Sequence, residues 1–568
     1  MTDIRRTVLW VVFTMSLVLL WDGWQKHNGH PSMFSPAPAK TAAVGAAGAN
    51  GVPAPAAVPG TPGAVPAAAA AVASEKVTIT TDVMNVTLDT LGGDVSRVEL
   101  LKYLSAPEPG MMDPLLQVVG LQEKKKFDAQ PIVLLDASHN YKAQSGLVGT
   151  NGEQLPTHNT VLALVPGERV LKDGANELSV RMESPEIGGV KLVKTYTFKR
   201  GDYVIGVKHE IVNVGAAALT PQVYVQLVRD GVAGPGGSSF YSTFTGPAVY
   251  TDKNKFHKVD FADIEKNKVE LEKSASDGWV AMVQHYFASA WIHNEASPRE
   301  FFARKVAGAV PNQYAVGMVF TLPQLAPGAT ATKDDLLFVG PQEENKLAAL
   351  APGLQLVKDY GVFRVLSQPL FWLLDQLHKL IGNWGWSIIA LVFLLKIAFY
   401  WLNASAYRSM AKMKAVNPRI TAMRERLKDK PQEMQQEMMK IYREEKINPI
   451  GSCLPILLQM PFFIALYWVL LSTVEMRGAP WLGWITDLSA RDPYFILPLL
   501  MTASSLFQVW LNPAPADPMQ AKMMWIMPLA FSVMFFVFPS GLVLYWLTNN
   551  ILSIAQQWMI NKQLGVQN

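Results

Sequence analysis

Cysteine is nearly missing from this 568-residue chain: Cys453 is the only one. That excludes a disulfide framework, a CxxC redox pair and a zinc cage built from several thiolates. Charge is scarce as well. Asp, Glu, Lys and Arg make up 17% of the residues, against roughly 25% in typical soluble domains. The net charge of +4 comes from 50 Lys and Arg against 46 Asp and Glu, too weak and dispersed for a nucleic-acid footprint. Catalytic signatures are missing too: there is no HExxH, no Walker-type glycine loop and no GxSxG elbow. Ser409-Met-Ala-Lys412 matches SxxK formally, but it lies in a strongly basic stretch. No enzymatic activity, cofactor or metal is expected from these residues.

What is abundant is apolar. Hydrophobic residues make up 50% of the chain, with 25 Phe, 16 Trp and 24 Met, a balance that points to lipid. The chain is also too long for one core, since domains usually hold about 100 to 200 residues. Arg5 and Arg6 precede an apolar run from Thr7 to Leu20, and small residues suited to cleavage begin only past Pro36. The expectation is an uncleaved N-terminal transmembrane anchor over 1–24. Residues 35–74 then hold 17 Ala, 7 Pro and 5 Gly. Such composition cannot offset chain entropy, so 25–74 reads as a linker.

Residues 75–350 read as an all-β sandwich. Short runs rich in Val, Ile, Thr and Tyr follow one another, as in Lys191 to Phe198, Tyr203 to Val212 and Val223 to Val228. Gly201-Asp202 between two of these runs predicts a hairpin. After Ala351, apolar residues recur at helical spacing among Arg364, Asp375, His378 and Lys379. This predicts an interfacial amphipathic helix within 351–383. Five apolar spans follow, at 384–402, 451–474, 494–511, 523–538 and 541–558. Together with the anchor they predict a multi-span α-helical membrane protein carrying a large β domain.

Orientation follows from the short loops. The segment 403–450 holds eleven Lys and Arg, whereas 475–493 holds only Arg477 and Arg491. The first is therefore expected in the cytoplasm and the second in the periplasm. With Arg5 and Arg6 also inside, the β domain falls in the periplasm, and the loop 512–522 and tail 559–568 in the cytoplasm. The localisation this implies is a bacterial inner membrane.

Lys396 is the most informative residue. A lysine near the middle of an apolar span costs about 2.5 to 3.5 kcal/mol on insertion scales and usually pairs or faces water. None of the five spans contains Asp or Glu, so an ionic partner among them is excluded. Snorkelling, a neutral amine or a water-filled cavity remain. Gln459, Thr502, Ser504, Ser505 and Gln508 add polar groups, and Tyr545, Asn549, Ser553 and Gln556 share one helical face. Interhelical hydrogen bonding explains each one singly. Together with Lys396 they favour a hydrated groove able to receive the polar flank of an inserting peptide.

The loop 403–450 reads as a helical hairpin. Asn417-Pro418 predicts the start of one arm, Lys430-Pro431 a break and restart, and Asn448-Pro449 the end. Its apolar stripe is Ile420, Met423 and Leu427 on one arm and Met434, Met438 and Ile441 on the other. These stripes either pack together or meet a partner. Arg419, Arg424 and Arg426 lie on the basic outer face, which suits acidic proteins or ribosomal RNA.

Several motifs resemble the YidC membrane-protein insertase family in its six-span form. They are Met423-Arg-Glu-Arg-Leu427, Gly451-Ser-Cys453-Leu-Pro455, Gln459-Met-Pro461, Trp484-Ile-Thr-Asp-Leu-Ser489, Asp517-Pro-Met-Gln520 and Phe538-Pro-Ser-Gly-Leu-Val-Leu-Tyr-Trp546. The resemblance implies an insertase and chaperone for nascent inner-membrane proteins, working alone or with the Sec translocon. It implies a periplasmic β-supersandwich and a five-helix core with a positively charged groove in the lipid bilayer. Lys396 falls where the family typically carries arginine. Gln459 matches a groove glutamine, and Tyr545 and Trp546 match the aromatic pair of the last span. Lys396, Gln459, Gln508, Tyr545 and Trp546 are thus the groove candidates. Long basic tails that serve ribosome binding have no counterpart here, so any ribosome contact is expected at the cytoplasmic loops. The competing reading is an anion or solute transporter with Lys396 as its binding site, which predicts ion flux.

Overall fold

The computed structural model describes residues 74–105, 129–150, 152–232, 243–306, 311–361, 363–427, 430–445, 454–512 and 518–563. The expected anchor, the linker up to residue 73, Cys453 and the last five residues lie outside them.

Strand formation follows side-chain alternation. Glu177–Glu183 buries Leu178, Val180 and Met182 and leaves the residues between them more exposed, the period-2 pattern of a strand with one wet face. Pro221–Asp230 is buried at every position but the last, as a central strand covered on both faces must be. Val190–Lys199 pairs antiparallel with Val204–Asn213, from Val190 opposite Asn213 to Phe198 opposite Ile205. The predicted hairpin joins them, with Gly201 at φ 72° supplying the left-handed backbone.

Eighteen strands among the described residues form two nine-stranded sheets. The centre of one is Lys142–Gly149, Pro221–Asp230 and Gln313–Thr321. The centre of the other is Phe287–Ile292, Thr330–Pro341 and Val204–Asn213. Their facing side chains merge into one core containing Val225, Leu227, Val316, Trp279 and Trp291. Trp291 donates its indole N–H to Gln226 O across the sheets at 3.0 Å. Charge is buried here as well. Asp335 lies between His209 and His293, at 3.5 and 3.1 Å. Burial pushes its carboxyl up, yet the two adjoining imidazoles prevail and hold it below the usual carboxylate range.

Helices dominate after Ala351: α1 (Arg364–Ile381), α2 (Trp384–Ala398), α3 (Tyr400–Arg426), α4 (Pro431–Glu444), α5 (Leu454–Ser472), α6 (Ile496–Leu511), α7 (Pro518–Phe535) and α8 (Ser540–Gln563). α1 buries Leu370, Phe371 and Leu374 and presents Val365, Trp372 and Leu380 outward. Glycine lets α2 close on a neighbouring loop, because a Cβ at Gly385 would meet the Trp481 ring at 2.2 Å. Among the described residues no single helix is long and apolar enough to cross a membrane. α2 and the first part of α3 reach that mark together, bent by 66° at Phe399.

Two boundaries differ from expectation. The span expected over 384–402 breaks at Phe399, and the hairpin's first arm does not begin at Asn417-Pro418. Pro418 lies inside α3, which runs unbroken from Tyr400 to Arg426. Val416, Ile420 and Met423 lie on both sides of the proline and pack with Ile441 of α4. This continuous apolar stripe outweighs the one backbone hydrogen bond that proline removes.

The β domain and the helices share an interface. Val474, just past α5, is buried in the β core. Lys358 is fully buried, 3.3 Å from Glu475, and its Nζ lies 3.8 Å from the Phe371 ring centre. Partly buried His285 hydrogen-bonds Leu471 O through Nε2 at 2.9 Å. Desolvation pushes the His285 imidazole down to about 4, and Arg477 nearby acts the same way. The docked state therefore keeps His285 neutral, whereas the opened state takes up a proton below its ordinary value of 6.5. The stabilisation is complete above pH 6.5 and is lost as pH falls toward 4, on the order of 3 kcal/mol at most. Hydrogen exchange across residues 471–477, corrected for intrinsic rate, is expected to accelerate over that interval. His285→Phe should abolish the acceleration; an equal acid response in the variant would assign it elsewhere.

Candidate functional site

A cavity of about 30 Å³ opens where α2, α3, α5 and α8 meet, lined by Lys396, Asn403, Gln459, Tyr545 and Asn549 and by Val392, Leu395, Phe399, Phe462, Phe463 and Leu466. The bend at Phe399 creates it. Lys396 occupies the last turn of α2, and Asn403 the first turn of α3. Seven residues are nearly two helical turns, so both side chains fall on one face and, across the 66° bend, line the same space.

Each polar group is held from behind. Gln459 Nε2 donates to Asn403 Oδ1 at 2.7 Å. Lys396 Nζ donates to Ser553 Oγ at 2.7 Å, and Ser553 donates its own proton to Asn549 O at 2.7 Å. The serine oxygen thus offers lone pairs to the ammonium. A lysine acting as base on a serine nucleophile needs the opposite arrangement. Tyr545 Oη is buried and has no hydrogen-bond partner among the described residues. One ammonium with unused N–H groups, one amide, a free phenol and an aromatic wall suit an extended peptide segment that carries a carboxylate.

The structure brings Lys396, Gln459 and Tyr545 together and places two other candidates elsewhere. Gln508 donates to Gln557 Oε1 at 2.7 Å in the seam between α6 and α8, next to the bond from Asn550 to Ser504. α8 therefore has two polar faces, and Gln508 serves the second. Trp546 stacks among Phe535, Phe538 and Tyr467, with centroids 5.1, 5.6 and 6.5 Å away. Asn403 was missed as a site residue because it lies just past the end of the span expected over 384–402, although its spacing of seven residues from Lys396 was a usable signal.

In the hairpin, Met423 is buried, with Met434 and Met438 packed against its cluster. The methionine stripes meet each other instead of facing outward. Arg419 bridges to Glu444 and Glu445 across the arms at 2.8 and 3.1 Å, and Arg426 approaches Glu437 at 3.9 Å. Arg424 is half-buried.

Residues 376–567 match the family described as 60Kd inner membrane protein, and residues 118–373 match the YidC periplasmic domain. The chain is 54% identical to the membrane protein insertase YidC of Cupriavidus necator, over 99% of this chain and 98% of that protein. It is 50% identical to the same-named protein of Burkholderia cenocepacia, over 99% of each. A crystal structure of an active YidC insertase with its first transmembrane domain resolved aligns at 18% identity and a TM-score of 0.37, covering 85% of this chain and 92% of that one. The near full-length identity settles kinship: the chain belongs to the YidC membrane protein insertase family.

Proposed function

We propose that this protein inserts nascent inner-membrane proteins and helps them fold, using the Lys396 cavity as a transient receiving groove. The observation that carries the reading is the convergence of Lys396, Gln459 and Tyr545 on one cavity bounded by apolar helices. An entering peptide must bring polar backbone and charged flanks into hydrocarbon, where each unsatisfied backbone group costs several kcal/mol. The groove substitutes fixed donors for water during that passage.

Element lengths support the same reading. α2, which lines the cavity, has 15 residues before the break at Phe399, about 22 Å at 1.5 Å per residue. A hydrocarbon core is about 30 Å thick. A short span beside a polar cavity favours local thinning of the bilayer, which shortens the client's path. In this topology the anchor and five spans enclose a periplasmic β domain, α1 lies in the interface, and the α3–α4 hairpin is cytoplasmic. The Sec translocon is the expected partner for larger clients. The hairpin, with the 512–522 loop, is the surface where a ribosome would be met. Its exposed Met439 and the basic groups beyond its internal ion pairs form that face.

Photocrosslinkers at positions 396 and 459 are expected to capture a ribosome-stalled, single-span nascent chain at short lengths and lose it once the client reaches lipid. Position 508, in the helix seam, should stay silent. Silence at all three, with ion flux through the purified protein, would favour the transporter reading. Lys396→Ala is expected to slow clients with acidic translocated segments roughly tenfold, and neutral ones less; equal rates would remove the charge from the mechanism. Tyr545→Phe should leave the melting temperature unchanged or slightly raised, since an unsatisfied buried hydroxyl costs about 1 to 3 kcal/mol. Crosslinking of the client at 459 should nevertheless weaken, because the phenol's free bonding capacity faces the cavity.

A further inference from the structure

We propose that Ser553 is a positioning residue that fixes the Lys396 ammonium on the α8 wall of the groove and leaves its remaining N–H groups aimed at the client. The inference rests on the groove reading above and adds a residue that acts through Lys396. Lysine has a long, rotamer-rich side chain, and a point charge alone gives it no direction. Among the described residues Ser553 is its one hydrogen-bond partner.

The valence of the hydroxyl makes this partner directional. Ser553 has one proton, spent on Asn549 O one helical turn back, so its two lone pairs are what remain. One accepts from Lys396 Nζ. The serine is thereby locked as an acceptor, which stabilises the protonated amine without neutralising it. A carboxylate in the same place would pair the charge and compete with a client's acid. Serine holds the ammonium by one bond, and the two other N–H groups stay available. Its place is set by helical spacing: Tyr545, Asn549 and Ser553 fall at successive turns on one face of α8.

The test compares insertion of one single-span nascent chain carrying an acidic translocated segment with its Asp→Asn counterpart, in native membranes. Ser553→Ala is expected to slow the acidic client by about tenfold, the effect of one charge-assisted hydrogen bond, and the neutral client clearly less. In a Lys396→Ala background the same substitution should add nothing. Ser553→Cys, close in size but a poor acceptor, should reproduce the selective loss and serves if the alanine variant does not accumulate. Equal losses on both clients, or a loss that persists without Lys396, would overturn the proposal and leave Ser553 a packing residue. A photocrosslinker at position 459 separates the two levels. Capture of the client there with no selective loss sinks only the positioning role; absence of capture in the parent protein sinks the groove reading and this inference with it.

Discussion

A single amine placed among apolar helices without an acid to pair it is the constraint around which the helical half is arranged. With no Asp or Glu in the five apolar spans, Lys396 can be kept only by neutral acceptors and water. The polar face of α8, the bend at Phe399 and the Gln459–Asn403 bond all supply that environment. Remove the lysine and these features are unexplained polar cost in an apolar bundle.

The β domain bears on this arrangement through α5. Gln459 lies near one end of that helix, and Leu471 and Ser472 near the other. The second end is held by His285, by the bond from Ser472 to Asp359 O at 2.6 Å, and by Val474 in the β core. The β domain thus fixes the Ser472 end of α5, while Pro461, which lacks a backbone N–H, interrupts the helix's hydrogen bonds between that end and Gln459.

How much of this was legible in the sequence depends on the range of the physics involved. Strands and helices follow from period-2 and period-3.6 apolar patterns, which are local, and so the sandwich and its Gly201 hairpin could be read directly. Lys396, Gln459 and Tyr545 could be read because each is an anomaly of composition: a polar group in an apolar run. The same logic failed for Gln508, whose anomaly is satisfied by Gln557. Composition cannot tell a groove residue from a seam residue, because α8 turns one polar face to the cavity and another to Gln508 of α6. Pro418 misled because its local preference for a helix start yields to a tertiary stripe shared with Ile441. Asn403 was passed over because it lies one residue beyond the expected end of its span, although a spacing of seven residues puts it on the Lys396 face.

A lysine in place of an arginine at position 396 has a physical consequence for release in the proposed groove. A guanidinium presents a rigid fork of five donors and grips a carboxylate at two points. The Lys396 ammonium already gives one donor to Ser553, so in the proposed groove it would meet a client acid as a point charge with two. Such a contact is weaker and less demanding of geometry, so acidic side chains at different depths can use it in turn. A receiving site must be left as readily as it is entered, and binding too tightly would hold the client in the groove. Tyr545, with one free hydroxyl, and the Phe399, Phe462 and Phe463 wall, with no directional bonds at all, continue the same compromise along the cavity.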